Sequence, residues 1–256
     1  MITPGRESRR VVLVSGAAGG IGSVTVALFR ELGWAVAALD RRAGGTDADL
    51  VLLGDVALAS DLDVACAGVL TTFGRLDALV NNAADQVCAP AVDMDPADWD
   101  RVMASNVRGA YLAAVRVYPL LKATRGSIVN VSSIHALATS IGMSAYAASK
   151  AALVSLTRSL ALEFAADGVR VNAVLPGAVN TPMLRAGLER AGLYAPAGAA
   201  VTPLEALVAR HPIKRIGEPA EIARSIYFLA DGTWSSFVTG TTLLADGGAY
   251  ARLSTE

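Results

Sequence analysis

The sequence predicts a single α/β domain built on a doubly wound, mostly parallel sheet of about seven strands. Three observations predict it. Short runs rich in Val, Leu and Ala alternate with longer segments of helical period. The short runs are apolar throughout, which marks strands covered on both faces. The chain has 256 residues, enough for one sizeable core, and no repeat, linker or low-complexity tract breaks it up.

The elements follow in order. "VVLVSG" (11–16) reads as a buried strand, and "IGSVTVALFRELG" (21–33) as a helix ending at Gly33. "AVAALD" (35–40) and "DLVLLGD" (49–55) are strands, "DLDVACAGVLTTFG" (61–74) a helix, and "LDALVNNAA" (76–84) the next strand. Residues 95–122 read as one long helix, started by Asp95 with Pro96 in its first turn. "GSIVNVSS" (126–133) is a strand, 144–168 a helix stopped at Gly168, and "VRVNAVLPG" (169–177) a strand. A helix over 218–231 and a strand within 239–248 complete the alternation. Residues 182–211 depart from it, being rich in Ala, Gly and Pro. An excursion of that length after a strand is expected to form a substrate lid.

Composition narrows the function classes. The net charge is −1 and no basic run exists to track a phosphate backbone, so nucleic-acid binding is not expected. Cys66 and Cys88 form no CxxC motif. His135 and His211 are too far apart for a helical ligand pair, so neither a disulfide scaffold nor a metal site is expected. The segment "MITPGRESRR" is polar and does not read as a signal peptide. No apolar run reaches membrane-spanning length, and the expected location is the cytoplasm. Hydrophobic residues make up 53% and charged residues 18%, an apolar excess that points to helix faces covered by further subunits.

"SGAAGGIG" (15–22) joins the first strand to the first helix, with Gly16, Gly20 and Gly22 spaced GxxxGxG. A strand–turn–helix with this spacing lets backbone N–H groups approach a pyrophosphate at a helix N-terminus. Asp40 ends the second strand, where a carboxylate can accept both ribose hydroxyls of an adenosine. Arg41 and Arg42 follow at once and offer a 2′-phosphate site instead. NAD is the expected cofactor because the acid holds the strand-end position, with NADP the alternative.

Tyr146 and Lys150 are the only titratable side chains in "SIGMSAYAASKAAL" (140–153), and at i and i+4 they share a helix face. A phenol titrates near pH ~10. An ammonium beside it favours phenolate, so Lys150 is expected to lower the Tyr146 pKa and make a proton carrier for alcohol oxidation or ketone reduction. On residues alone, a buried Tyr beside a snorkelling Lys reads the pair equally well. Ser132 and Ser133 end the preceding strand, where a hydroxyl either holds a substrate oxygen or caps a turn. Asn106, a mediocre helix former inside a helix, either bridges a water to Lys150 or bonds locally.

Together these residues resemble the short-chain dehydrogenase/reductase family over nearly the whole chain, from about residue 9 to 250. The motifs stand in register: "SGAAGGIG", Asp40, Asp55-Val56, "NNAA" (81–84), Asn106, Ser133, "YAASK" (146–150) and "PGAVNT" (176–181). Ser133 precedes Tyr146 by thirteen residues, the family's usual interval. The resemblance implies a Rossmann domain and hydride transfer to or from a nicotinamide. It implies Tyr146 as acid/base, Lys150 lowering its pKa and holding the nicotinamide ribose, Ser133 orienting the substrate oxygen, and Asn106 anchoring a water relay. The diphosphate falls to Gly16, Gly19, Gly20, Ile21 and Gly22, the ribose to Asp40, and the adenine to Asp55 and Val56. Asn81, Asn82 and Ala83 line the adenosine side, while Pro176, Gly177, Val179 and Thr181 surround the carboxamide. A homo-oligomer is implied, a tetramer being the common assembly, through the helices near 95–122 and 144–168. Ser15 stands for the usual Thr, and Ala84 for the Gly of NNAG, which narrows the backbone approach there.

Substrate residues are expected at Gln86, Ser133, His135, Met143 and Tyr146, with Ile141, Met183 and Leu184 nearby. Gln86 and His135 match, in type and offset, residues that help hold a carboxylate in 3-hydroxybutyrate dehydrogenases. Those enzymes place a Lys where Met143 stands here, so an acidic substrate loses its counter-ion. The resemblance therefore leaves open a secondary alcohol or ketone, a 3-hydroxy acid, or a sugar or polyol. A catalytically silent dinucleotide-binding protein on the same fold is the alternative from a different class.

Overall fold

The computed structural model describes residues 9–42, 44–192 and 202–251. Among the described residues, seven strands form one sheet: β1 (Val11–Ser15), β2 (Ala35–Asp40), β3 (Leu50–Leu53), β4 (Ala78–Asn81), β5 (Ser127–Val131), β6 (Arg170–Pro176) and β7 (Thr242–Ala245). Their order is β3-β2-β1-β4-β5-β6-β7, and every pair is parallel. The sheet expected to be mostly parallel is wholly so. Chain direction along the sheet reverses between β1 and β4, and the crevice beyond the strand ends at that switch point is where such sheets take ligands.

Each central strand is buried on both sides, and alternate residues feed two cores. Val11 and Leu13 join one, with Leu79, Ala113, Val117, Leu160 and Phe164. Val12 and Val14 join the other, with Phe29, Trp34, Val36, Ile222 and Ile226. Helices α1 (Gly20–Glu31) and α2 (Ala59–Phe73) therefore cover opposite faces. This double covering is why the strands read as continuous apolar runs.

The long helix expected over 95–122 is in fact three pieces: α3 (Pro96–Met103), a π-helical turn (Ala104–Arg108) and α4 (Gly109–Thr124). Asp95 caps α3 as expected, its carboxylate accepting from the Ala97 N–H at 2.8 Å. The widened turn falls where Asn106 is drawn inward by hydrogen bonds to the neighbouring loop and helix, a tertiary pull that local propensity does not encode. Helix α5 (Ser144–Phe164) starts where expected and ends in a 3₁₀ turn (Ala165–Asp167) before Gly168, whose φ of 74° gives the left-handed stop.

The excursion after β6 holds α6 (Pro182–Gly192) and α7 (Pro203–Ala209). Residues 193–201 of the expected lid lie outside the described residues. Helices α8 (Pro219–Ala230) and the short α9 (Gly232–Ser235) precede β7. The second was not expected from sequence. Among the described residues, no helix is long and apolar enough to cross a membrane.

Candidate active site

The glycine turn packs too tightly for side chains. Gly16 has φ of 63°, and a Cβ there would sit 2.7 Å from the Ala83 Cα. A Cβ on Gly22 would lie 2.1 Å from the Gly16 carbonyl oxygen, so α1 is pressed directly onto the turn. Ser15 and Asn82 lock the arrangement. The Ser15 hydroxyl accepts from the N–H groups of Asn82 and Ala83 at 3.1 and 3.2 Å, and the Asn82 amide donates to the Ser15 and Gly16 carbonyls. Gly19 stands at the α1 N-cap with no side chain to satisfy the first N–H groups, through Ile21 and Gly22. A free helix N-terminus behind a side-chain-free turn fits a dinucleotide diphosphate.

At the end expected to take the adenosine, Asp40 accepts from the Ala18 N–H at 2.9 Å and from the Arg42 N–H at 3.0 Å. The two arginines left open as a phosphate site each face an acid instead: Arg42 lies 3.6 Å from Asp40 and Arg41 3.6 Å from Asp55. The Asp55 carboxylate also accepts from the Ala57 N–H, and Val56 is buried beside Gly109. Asn81 is buried differently from Asn82. Its amide donates to Asn130 at 2.9 Å inside the sheet, making it a cross-strand tie between β4 and β5.

At the other end of the crevice, Ser133, Tyr146 and Lys150 come together, all three buried. The Ser133 side chain lies beside the Tyr146 phenol and draws its pKa down. Lys150 Nζ donates to the Val131 carbonyl at 2.9 Å and lies 5.5 Å from the Tyr146 ring centre. The two serines part company: the Ser132 hydroxyl donates back to the Lys150 carbonyl at 2.8 Å, anchoring α5 on β5. The electrostatics differ from the sequence expectation. Burial pushes the Tyr146 phenol up to about 12, against the downward pull of the nearby Ser133 hydroxyl. Burial also pulls the Lys150 ammonium down to about 7. Desolvation disfavours both charged forms.

Asn106 bridges the loop after β4 and helix α5. Its side-chain amide is wholly committed: Oδ1 accepts from the Asp85 N–H at 2.7 Å, and Nδ2 donates to the Asp85 carbonyl and to Ser149 Oγ, both at 2.9 Å. Ser149 in turn donates to the Tyr146 carbonyl at 2.7 Å. Asn106 thus fastens the loop after β4 to the helix that carries Tyr146, and Arg101 pairs with Asp85 from α3. Sequence reasoning missed Ser149 and Asp85. Ser149 carried a signal, since it lies three residues after Tyr146 on the same helix face, whereas Asp85 carried none.

The expected substrate wall assembles in part. Gln86 Nε2 lies 3.5 Å from Met143 Sδ and 3.8 Å from Cys88 Sγ. Cys88 was not expected there. A Cβ on Gly187 of α6 would lie 3.7 Å from Gln86 Nε2, so α6 sits over that amide. The His135 ring stacks edge-on to Tyr146 at 5.8 Å, and burial lowers its pKa. Ile141 does not belong to the wall: its side chain is fully exposed because Gly142, with φ of 79°, turns the chain away. Met183 is 38% exposed on α6.

The 176–181 segment closes the site. A Cβ on Gly20 would lie 2.8 Å from Thr181 Cγ2, so the glycine turn and this segment touch. A Cβ on Gly177, next to Pro176, would lie 2.8 Å from the Asp246 Cα, and Val179 is buried. Among the described residues no cluster of His, Cys, Asp and Glu could hold a metal ion.

A parallel sheet with a glycine turn at its switch point, facing a buried Ser, Tyr and Lys, defines a dinucleotide-binding α/β domain of the oxidoreductase class. The comparisons agree. The family model described as enoyl-(acyl carrier protein) reductase matches residues 16–250. An uncharacterized short-chain type dehydrogenase/reductase from Sinorhizobium fredii is 41% identical over 248 residues, and the match spans 93% of this chain but 43% of that relative. The cis-4-hydroxycyclohexanecarboxylate dehydrogenase of Sinomonas cyclohexanicum is 39% identical, covering 95% of this chain and 98% of that one. The aldohexose dehydrogenase of Thermoplasma acidophilum superposes with a TM-score of 0.88 at 32% identity, covering 96% of each chain. The chain belongs to the short-chain dehydrogenase/reductase family, whose members bind nicotinamide dinucleotides.

Proposed function

We propose that the chain transfers a hydride between NAD(H) and a neutral secondary alcohol or its ketone. One observation carries the reading: Ser133, Tyr146 and Lys150 converge out of solvent at the crevice that opens at the glycine turn. A bound nicotinamide supplies the hydride acceptor or donor. The chain's own residues do the rest. Ser133 Oγ orients the substrate oxygen beside Tyr146 Oη, and the phenol gives its proton to a ketone oxygen or, as phenolate, takes the alcohol proton. With its pKa raised, the phenol stays protonated, the state a ketone reduction needs. Oxidation of an alcohol needs a cation to hold the phenolate, and Lys150 is the group placed for it.

The glycine turn, Asp40 and the 176–181 segment are the residues to hold the dinucleotide. Asp40 favours NAD over NADP, because its carboxylate would repel a 2′-phosphate while both neighbouring arginines already face acids. Gln86, Cys88, Met143 and a His135 with lowered pKa carry no positive charge at neutral pH, which favours an uncharged substrate over a 3-hydroxy acid. The relatives' names, one acting on an aldohexose and one on a hydroxycyclohexanecarboxylate, support a hydroxyl-bearing substrate. A homo-oligomer, a tetramer in the family's manner, belongs to the same reading. Tyr111 and Val115 on α4 and Leu162 on α5 expose apolar surface that a second copy would cover. A cytoplasmic location goes with it.

The test is a panel of cyclic and acyclic secondary alcohols and ketones, followed at the reduced-nicotinamide absorbance band with NAD and NADP. Turnover with NAD supports the reading. Tight NAD binding without turnover of any panel member favours the catalytically silent alternative.

A further inference from the structure

We propose that His211 is a positioning residue that sets the place of the 176–181 segment, and with it the nicotinamide end of the site. The inference rests on the dinucleotide reading above. His211 is buried, at 4% exposure, immediately after α7. Its Nδ1 lies 2.8 Å from the Leu207 carbonyl oxygen, which can only accept, so Nδ1 carries the ring proton. Nε2 is then left as an acceptor, and the Ala178 N–H points to it at 3.4 Å. One imidazole therefore ties the end of α7 to the backbone of the segment expected to hold the carboxamide.

The neighbouring chain repeats the tie. The Gly217 N–H donates to the Ala178 carbonyl at 2.8 Å and the Asn180 N–H to the Gly217 carbonyl at 2.9 Å, making a short parallel bridge between Val179 and Gly217. Between His211 and Gly217 the chain turns through Lys214, a non-glycine residue at φ of 58° whose N–H bonds the His211 carbonyl at 2.8 Å. Such a conformation is held only where its surroundings demand it. The packing around this turn is incomplete on one side. A cavity of about 350 Å³, lined by His211, Ile213, Arg215, Glu221 and Asp246 among others, opens there. Hydrogen bonds through His211 and Gly217 add to the close contacts of Gly177 and Thr181 in holding the segment.

The experiment compares wild type, His211→Phe, His211→Leu and His211→Gln, measuring calorimetric affinity for NAD and for ADP-ribose, which lacks the nicotinamide, together with kcat and KM on any substrate turned over. Loss of a hydrogen bond to the segment is expected to weaken NAD by about tenfold and to lower kcat. ADP-ribose affinity stays within about twofold of wild type. Gln, which can donate and accept at once, restores most of both. Equal losses for NAD and ADP-ribose, or no loss for either, overturn the assignment. The leucine variant replaces the phenylalanine one should the larger ring not fit. Wild type that binds neither NAD nor NADP contradicts the proposed function itself, a separate outcome visible in the control.

Discussion

Lys150 and Tyr146 lie one helical turn apart on α5, with the Lys150 ammonium 5.5 Å from the Tyr146 ring centre, and both are closed off from solvent. Their burial has a thermodynamic consequence. The unfolded chain keeps Lys150 protonated up to its ordinary value of 10.5, and the folded chain only up to about 7. Between those values the unfolded state binds more protons, so this group makes stability rise with pH. The Tyr146 shift acts only above the ordinary phenol value of 10 and in the opposite sense. Relative to Lys150→Met, wild type is expected to gain stability from about pH 7 to about pH 9, by up to ~1.4 kcal/mol per pH unit. Scanning calorimetry of both proteins checks it. Melting temperatures that run parallel across that interval contradict the burial of the ammonium.

The turn between β1 and α1 tolerates no methyl group at Gly22, where a Cβ would fall 2.1 Å from the Gly16 carbonyl oxygen. Gly22→Ala must push α1 off the turn. A loss of about 1–3 kcal/mol is expected, with a melting temperature lower by about 2–10 °C and dinucleotide affinity reduced. Thermal melts with and without NAD measure both effects. An unaltered melt would show that the turn yields freely and that its tightness is not what shapes the site.

In the proposed reading Asp40 takes the adenosine ribose hydroxyls, and its carboxylate accepts from the Ala18 N–H of the glycine turn. Asp40→Ala is expected to weaken NAD by about tenfold or more while NADP changes little or improves, because the mutation removes both a ribose acceptor and a repulsion. Titration with each dinucleotide reads the ratio. A ratio that stays at the wild-type value assigns cofactor choice to other residues.

Much of this was legible in the sequence because it is local. The glycine spacing, the i and i+4 placement of Tyr146 and Lys150, and the doubly apolar strands each follow from a few consecutive residues. What escaped depends on contacts between distant segments. The π turn at Asn106 exists because Asp85 and Ser149 take its amide, and neither is its sequence neighbour. The sign of the Tyr146 shift depends on how completely the fold dries the site, which no spacing reports. Ile141 looked like a pocket residue from its position before Met143, and the left-handed turn at Gly142 sends it outward. His211 and Ala178 are 33 residues apart, joined only by the return of the chain after α7.

The most direct measurement is the turnover of Tyr146→Phe on whichever alcohol or ketone wild type converts, with NAD affinity measured alongside. Removing the phenolic oxygen takes away the proton carrier and leaves the ring in its packing against His135. The account predicts a fall in kcat of about 10²–10⁴-fold with NAD affinity within about twofold. A phenylalanine variant that turns over at near wild-type rate contradicts it.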